Sequence, residues 1–302
     1  MNNIKNKFSI KDLENLSGIK AHTIRIWEKR YNLFQPNRTE TNIRYYSLAS
    51  LQKILNISYL NKNGYKISKI ASLNADEIPA LVKQIAEEND KNNHTINLLK
   101  LAMINFDQGL FYKTYNDLIN EFSFKDIFYD VFVPLLDEIG LLWQTDTITP
   151  AHEHFIVELI KQKIILNTEK ALNNSKPTKD TNAYVLYLPD NEVHELGLLF
   201  TNYEIINKGS HSIYLGQSVP LDSLQFLLSQ YDEITFVSCF TVKPEKDDLV
   251  NYLKEFDSKL LKNTKNKLII SGRMTSLIQD LSNPNITTYK STKEVLENIQ
   301  YV

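Results

Sequence analysis

Residues 184–197 read YVLYLPDNEVHELG, and their order of residue types predicts the fold of the C-terminal third of the chain. Five consecutive apolar or aromatic residues are typical of a strand buried on both faces, and the Pro-Asp-Asn sequence at 189–191 marks a turn. The turn leads through Glu192 and His194 to Gly197, where a helical pattern begins. A strand, a turn and a helix in this order predict a βα unit of a parallel sheet.

The same texture continues to the C-terminus. Short apolar runs alternate with amphipathic segments and lie at 183–188, 213–215, 234–240, 267–270 and 286–289. Five such units predict an α/β Rossmann-like (flavodoxin-like) domain over residues 183–302. In these sheets ligands bind at the carboxyl ends of the strands, which is where the loop with His194 is expected.

Two polar stretches, at 74–79 and 173–182, separate this domain from the rest of the chain and are interpreted as linkers. Residues 80–172 carry apolar positions at helical spacing, and their number suits four helices. The sequence therefore predicts a central four-helix bundle, the helical cap domain, at 80–172. An N-terminal all-α winged helix-turn-helix domain is predicted at 1–74.

The N-terminal prediction depends on a short helix, a turn and a second, basic helix. Ser9 is placed to cap a helix at 8–16, Ser17 and Gly18 make the turn, and a second helix follows at 20–31. Apolar anchors on one face of the second helix and basic donors on the other suit a helix that lies in a DNA major groove. Residues 36–46, PNRTETNIRYY, are short enough to form a hairpin wing that contacts the DNA backbone.

Charge supports this division. The net charge of the chain is -2, but residues 1–73 hold 13 Lys and Arg against 4 Asp and Glu, and the remainder is acidic. A basic head on an acidic body indicates a nucleic-acid partner. No stretch has the apolar length of a membrane span, and the single cysteine, Cys239, cannot form an internal disulfide, so a cytoplasmic protein is expected.

The N-terminal residues resemble the MerR family of transcriptional regulators. The similarity lies in TIRIWEKRY at 23–31, PNR at 36–38 and IRYYS at 43–47. The resemblance implies a winged-helix dimer that binds a palindromic double-stranded DNA operator. The expected DNA-binding residues are Thr23, Arg25, Lys29, Arg30, Arg38, Arg44 and Tyr46. The alternative is a small basic helical domain with a solvated charged face.

The loop after the first strand of the sheet carries a candidate metal ligand. His194 has one ring nitrogen for a metal and one for a carboxylate, and Glu192, two residues earlier, is placed to fix the tautomer. Gly197 is expected to leave room for a bulky group close to the backbone. The alternative for His194 is a surface histidine at a helix N-terminus.

Ser238 ends the third strand and Gly272 follows the fourth. Together with the Glu-x-His-x-x-Gly pattern, they resemble the cobalamin-binding fold of methyltransferases and mutases. The resemblance implies that His194 binds cobalt as the lower axial ligand, that Glu192 supports it, and that Ser238 and Gly272 flank the displaced nucleotide tail. Phe240 and Ser271 depart from the family pattern, and Ser271 narrows the tunnel expected for the base.

Trp143 and the pair Glu153-His154 resemble the helical domain of the CarH and LitR type of light-sensing regulators. The resemblance implies that these residues contact the upper axial adenosyl group. Gln144 stands where some members of that type have a histidine, and His152 is a nearby candidate to replace it.

The combined resemblance implies a transcriptional regulator, a repressor controlled by adenosylcobalamin, which senses light as a homo-oligomer, either a dimer or a tetramer with cofactor. No catalytic residues are expected, and the protein is predicted not to be an enzyme. One alternative is a MerR-type regulator whose cobalamin domain is degenerate or binds another corrinoid and acts in protein contacts. A corrinoid-carrying enzyme subunit is disfavoured because the basic head has no role in one.

Overall fold

The computed structural model describes residues 7–74, 76–88, 91–145, 147–174, 181–278 and 283–299. It divides into two compact units, Met1–Ile160 and Lys161–Val302. The predicted head and most of the predicted bundle fall in the first unit, and the predicted α/β domain falls in the second. In the described part of the chain, no helix combines the length and the apolar character needed to cross a membrane.

The first unit begins with a helix-turn-helix and a two-stranded wing. Its elements are α1 (Ile10–Ser17), α2 (Ala21–Tyr31), β1 (Asn37–Arg38), β2 (Arg44–Tyr45), α3 (Leu48–Lys62) and α4 (Ile67–Ala71). The Ser9 hydroxyl accepts the Asp12 N–H at 3.1 Å, and the Asp12 carboxylate accepts the Ser9 N–H at 2.8 Å. This reciprocal capping box starts α1 one residue after Ser9. Gly18, at φ 74°, ends the helix.

The second helix of the head is anchored as its spacing predicts. Ile24 and Trp27 are buried, whereas the basic side chains of α2 lie outward. Strands β1 and β2 pair antiparallel, with Asn37 opposite Tyr45, and form the predicted wing. The winged helix-turn-helix prediction is confirmed.

The rest of the first unit is helical. It consists of α5 (Glu77–Glu88), α6 (Lys91–Asn105), α7 (Gln108–Ile119), α8 (Phe124–Ile127), a π-helical turn (Phe128–Phe132), α9 (Val133–Gln144) and the beginning of α10 (Pro150–Asn174). Helices α8 and α9, joined through the π turn, thus form one arm of the bundle. Phe132, in that turn, is fully buried and stacks against Phe111 and Tyr115 of α7. The predicted helical bundle is confirmed.

The head packs directly on this bundle inside the first unit. Lys100 of α6 is buried, and its ammonium group contacts the Glu138 carboxylate at 2.6 Å and the Leu16 carbonyl at 3.4 Å. The Asn15 amide donates to the Thr147 hydroxyl at 2.7 Å. Because Asn15 and Leu16 belong to α1, polar contacts join the end of the first helix of the head to the bundle.

The second unit is a five-stranded parallel sheet with helices. Its elements after α10 are β3 (Asn182–Tyr187), α11 (Leu196–Asn207), β4 (Ser212–Gly216), β5 (Glu233–Cys239), α12 (Leu249–Phe256), β6 (Lys267–Ser271), β7 (Ile286–Thr288) and α13 (Thr292–Asn298). The strand order is β4-β3-β5-β6-β7. Counted within the unit, this is the 2-1-3-4-5 order of flavodoxin-like sheets, and it confirms the predicted fold class.

Not every crossover is the α-helix that five regular βα units predict. The segment after β4 is a 3-10 helix, Leu221–Ser229, and the segment after β6 is another, Arg273–Leu277. The first still buries Leu224 in the core that contains Phe236 and Phe256. The amphipathic pattern therefore located the segments that follow the strands but not the type of helix they form.

Candidate functional site

The outward surface of the head carries most of the residues expected to bind DNA. Thr23 is half-buried, and the exposed side chains are Arg25, Lys29, Arg30, Arg38 and Arg44. In the wing, the Arg38 guanidinium donates to the side-chain oxygen of Asn42 at 2.7 Å and holds the hairpin loop. Exposed cations on a helix and an adjoining hairpin are suited to phosphate and groove contacts.

The assignment of Tyr46 to the DNA surface is wrong. Its side chain is fully buried, its hydroxyl donates to the Glu28 carboxylate, and its backbone pairs with Phe8. Burial and the bond to Glu28 both raise the pKa of the Tyr46 hydroxyl. The resemblance implied that Tyr46 contacts DNA, but strand alternation turns its ring inward.

The loop after β3 lies at the topological switch point of the sheet. β3 pairs with β4 on one side and with β5 on the other, so the loops after β3 and β5 meet at the carboxyl edge. Glu192 joins these loops. One carboxylate oxygen accepts the N–H groups of Thr241, Val242 and Lys243 at 3.1, 2.6 and 2.9 Å.

The other oxygen of Glu192 holds His194. It accepts the His194 N–H at 3.0 Å and lies 2.6 Å from ring atom Nδ1. Burial alone raises the pKa of this fully buried carboxyl, but the bonds from the His194 ring and from the backbone of Lys243, Val242 and His194 hold it well below its usual range. The carboxylate therefore stays ionised.

This arrangement suits a metal-ligating imidazole. The His194 side chain is 52% exposed although its partner Glu192 is fully buried. With Nδ1 engaged by the carboxylate, the nitrogen through which the ring can coordinate a metal is Nε2. The donor offered here is one oriented imidazole at the carboxyl end of the sheet. It fits a cobalamin, whose cobalt would take a single nitrogen ligand from the protein.

Ser238 and Gly272 lie close together at the same end of the sheet. The Ser238 hydroxyl is buried and donates to the Tyr187 carbonyl at 2.8 Å. Gly272 has φ 105°, and a Cβ there would lie 2.6 Å from the Phe240 carbonyl oxygen. Both residues therefore have structural roles between strands. Ser271, the departure at the expected tunnel, is buried beside them.

Gly197 has a different neighbour from the one expected. A Cβ at this position would lie 3.1 Å from the side chain of Thr292, which begins α13. The absence of a side chain thus lets α11 and α13 approach each other. The room that was expected for a bound group is filled at this point by the protein itself.

The residues expected on the upper face lie at the ends of consecutive helices. Trp143, in the last turn of α9, is 51% exposed. Near the start of α10, Glu153 is half-buried and His154 is exposed. At this exposure Trp143 is not a core residue of the first unit. His152 is buried, bonds the Thr149 hydroxyl through its ring at 2.8 Å and stacks on Phe106, so it does not face outward as an upper ligand would. The side chain of Gln144 lies outside the described residues.

Sequence reasoning missed two sets of groups around His194. The backbone N–H groups of residues 241–243 carry no side-chain signal and were invisible before the fold was known. Glu195 could be identified as a charged neighbour, since it directly follows His194, but no sequence pattern predicted its hydrogen-bond partners. It is buried and accepts bonds from Tyr214 at 2.7 Å, Gln217 at 2.6 Å and Lys161.

Comparisons with known proteins match two stretches of the chain. Residues 8–76 match the model of the MerR HTH family regulatory proteins, and residues 95–166 match that of the B12 binding domain. The first stretch is the head, and the second lies in the helices from α6 to α10, before the sheet begins. The chain is therefore similar to helix-turn-helix regulators in its head and to B12 binding domains in its helical bundle.

Curated relatives support this. The HTH-type transcriptional repressor CarH of Myxococcus xanthus is 26% identical over 216 residues, which cover 69% of this chain and 70% of that protein. The repressor CarA of the same organism is 22% identical over 72% of this chain and 70% of its own length. The chain is homologous to both repressors.

Among solved structures, the monomethylamine corrinoid protein of Methanosarcina barkeri is similar with a TM-score of 0.54. The match covers 68% of this chain and 97% of that protein at 12% identity. At this identity the likeness shows the fold alone.

Proposed function

We propose that the protein is a transcriptional repressor whose affinity for its operator is set by bound adenosylcobalamin, with light as the signal that ends repression. The observation that carries this proposal is the Glu192–His194 pair, 2.6 Å apart at the switch point of the sheet, in a chain that also has a MerR-type head. The names of the relatives CarH and CarA support the sign of regulation.

The residues of the chain divide the work. Glu192 holds the His194 ring so that Nε2 is directed to coordinate cobalt, and Ser238 and Gly272 keep the adjoining strands in register. Trp143, Glu153 and His154 would contact the adenosyl group of the cofactor. When bound, adenosylcobalamin supplies a cobalt centre and a cobalt–carbon bond that light breaks.

DNA binding is assigned to the exposed cations of the head. Operator binding by a dimer or a cofactor-stabilised tetramer places several heads near one site, and each additional head then binds at a high effective concentration. For the cofactor to control binding, it must prefer the oligomer that holds the operator. We also propose that the protein is cytoplasmic, because that is where a bacterial operator is accessible.

The test begins with a binding sequence selected from random DNA by the purified protein. Affinity for that DNA is then measured in the dark with and without adenosylcobalamin, and again after green light. We expect tight binding only with cofactor in the dark, and we expect His194→Ala to remove the difference. Equal affinity in all three states, for wild type and variant alike, favours the degenerate-domain alternative instead.

A further inference from the structure

Two carboxylates flank His194, and they attach its loop to opposite sides of β3. Glu192 reaches the loop after β5 through the backbone of residues 241–243. Glu195 reaches the other way, to Tyr214 on β4 and Gln217 just after it. Because β3 lies between β4 and β5 in the sheet, the segment that bears His194 is held from both sides.

Glu195 has one partner outside the sheet and its loops. The Lys161 ammonium group contacts the same oxygen that accepts from Gln217. The Glu195 side chain is 9% exposed and that of Lys161 is 28% exposed, so the pair is better shielded from water than a surface ion pair. Lys161 belongs to α10, the helix on which Glu153 and His154 also lie.

We propose that Glu195 is a positioning residue for His194 and that the Lys161–Glu195 pair couples the position of the metal ligand to α10. The inference rests on the proposed function, in which His194 ligates cobalt. Glu192 orients the ring, and Glu195 fixes the place of the loop relative to a helix. A movement of α10 then changes how well His194 is held, and a ligand on His194 restrains α10.

The physical basis is the convergence of three donors on one buried carboxylate. Replacing Glu195 by glutamine keeps its size but removes the charge that balances Lys161 in a shielded place. Replacing Lys161 by methionine keeps the apolar stem and removes the ammonium group that contacts Glu195, while Tyr214 and Gln217 still bond Glu195. The second variant is the more conservative, and it keeps the proposal testable if Glu195→Gln folds poorly.

The test compares Glu195→Gln, Lys161→Met, the double variant and Lys161→Arg with a matched control pair. The control is Glu233→Gln with Lys267→Met, an ion pair of 2.9 Å at the amino ends of β5 and β6, away from the carboxyl edge. Hydrogen exchange of the cofactor-free protein is measured at residues 190–197. A second readout is the fraction of cob(II)alamin ligated by protein histidine, taken from the two-line nitrogen splitting in the electron paramagnetic resonance spectrum of protein labelled with ¹⁵N-histidine.

We expect Glu195→Gln and Lys161→Met each to speed exchange at 190–197 by about tenfold and to lower the histidine-ligated fraction. The double variant should be no worse than Glu195→Gln. Lys161→Arg, which keeps the charge, should leave both readouts at their wild-type values, and the control pair should change neither. The proposal is overturned if Lys161→Met behaves like the control pair, or if its effect simply adds to that of Glu195→Gln. Failure of the wild type to bind cobalamin would refute the proposed function, whereas exchange in the cofactor-free protein tests the coupling separately.

Discussion

The basic surface of the head and the loop that bears His194 are built on opposite principles. Arg25, Lys29 and Arg44 project outward, and their predicted action depends on charge and exposure. The His194 ring is held by Glu192, and Glu192 is held by backbone groups some fifty residues further along the chain. We therefore expect the basic surface to tolerate the loss of one cation, whereas the loop should depend on every contact of a single carboxylate.

The largest loss of stability should follow from replacing the Glu192 carboxylate. In Glu192→Gln, an amide NH₂ must face backbone N–H groups on one side or the other, because both oxygens of Glu192 accept such bonds. We expect a loss of about 2–4 kcal/mol in the free energy of unfolding, measured in urea, together with loss of cobalamin binding. A variant as stable as the wild type would show that the network around Glu192 is unimportant.

The contribution of the Glu192 carboxylate to stability should depend on pH. Because folding lowers the pKa of Glu192, its contribution to stability is complete above the unfolded value of about 4.3 and is lost as the pH falls below it. The difference in unfolding free energy between wild type and Glu192→Gln should therefore shrink from pH 6 towards pH 3. A difference that is constant over this range contradicts the assignment.

Gly272→Ala should have the next largest effect. The new Cβ would lie 2.6 Å from the Phe240 carbonyl oxygen at φ 105°, so either the backbone or Phe240 must move. We expect a cost of about 2–3 kcal/mol in unfolding free energy. Gly209→Ala is the matched control, since its φ is 87° but nothing lies within 4 Å, and it should cost about 1 kcal/mol. Equal costs would mean that the contact with Phe240 is relieved without strain.

The smallest effect is expected from a substitution on the basic surface of the head. Arg44→Ala in the wing should leave the fold unchanged, weaken DNA binding by about tenfold for every sequence, and lower the salt dependence by about one phosphate contact. Lys113→Ala, an exposed lysine on α7, is the control and should alter neither quantity. If both variants weaken binding equally, general charge rather than the wing carries the affinity.

These regions also differ in how far the sequence predicts them. The outward position of the basic residues of α2 was predicted from their spacing, because side-chain periodicity is local information. The resemblance failed at Tyr46, where pairing with Phe8 turned the ring inward. Around His194, the Glu192 partner was predicted from its spacing, but the N–H groups of 241–243 and the link from Glu195 to Lys161 depend on strand order and could not be.

The fold shows the same limit. Apolar runs located all five strands, yet they did not distinguish α from 3-10 crossovers, since both present an apolar face. Gly197 was assigned to ligand clearance although its space is taken by Thr292, a residue 95 positions away. Local sequence patterns identify secondary-structure elements and their exposed surfaces. The structural role of a small residue such as Gly197 depends on contacts between distant segments.

The central claim, that His194 is the axial ligand of a bound cobalamin, is tested most directly by electron paramagnetic resonance. Protein labelled with ¹⁵N-histidine is loaded with cob(II)alamin of natural isotope content without oxygen. Ligation by His194 predicts two-line nitrogen splitting that is absent in His194→Ala. Three-line splitting from the ¹⁴N base of the cofactor itself, or no nitrogen splitting, would contradict the claim.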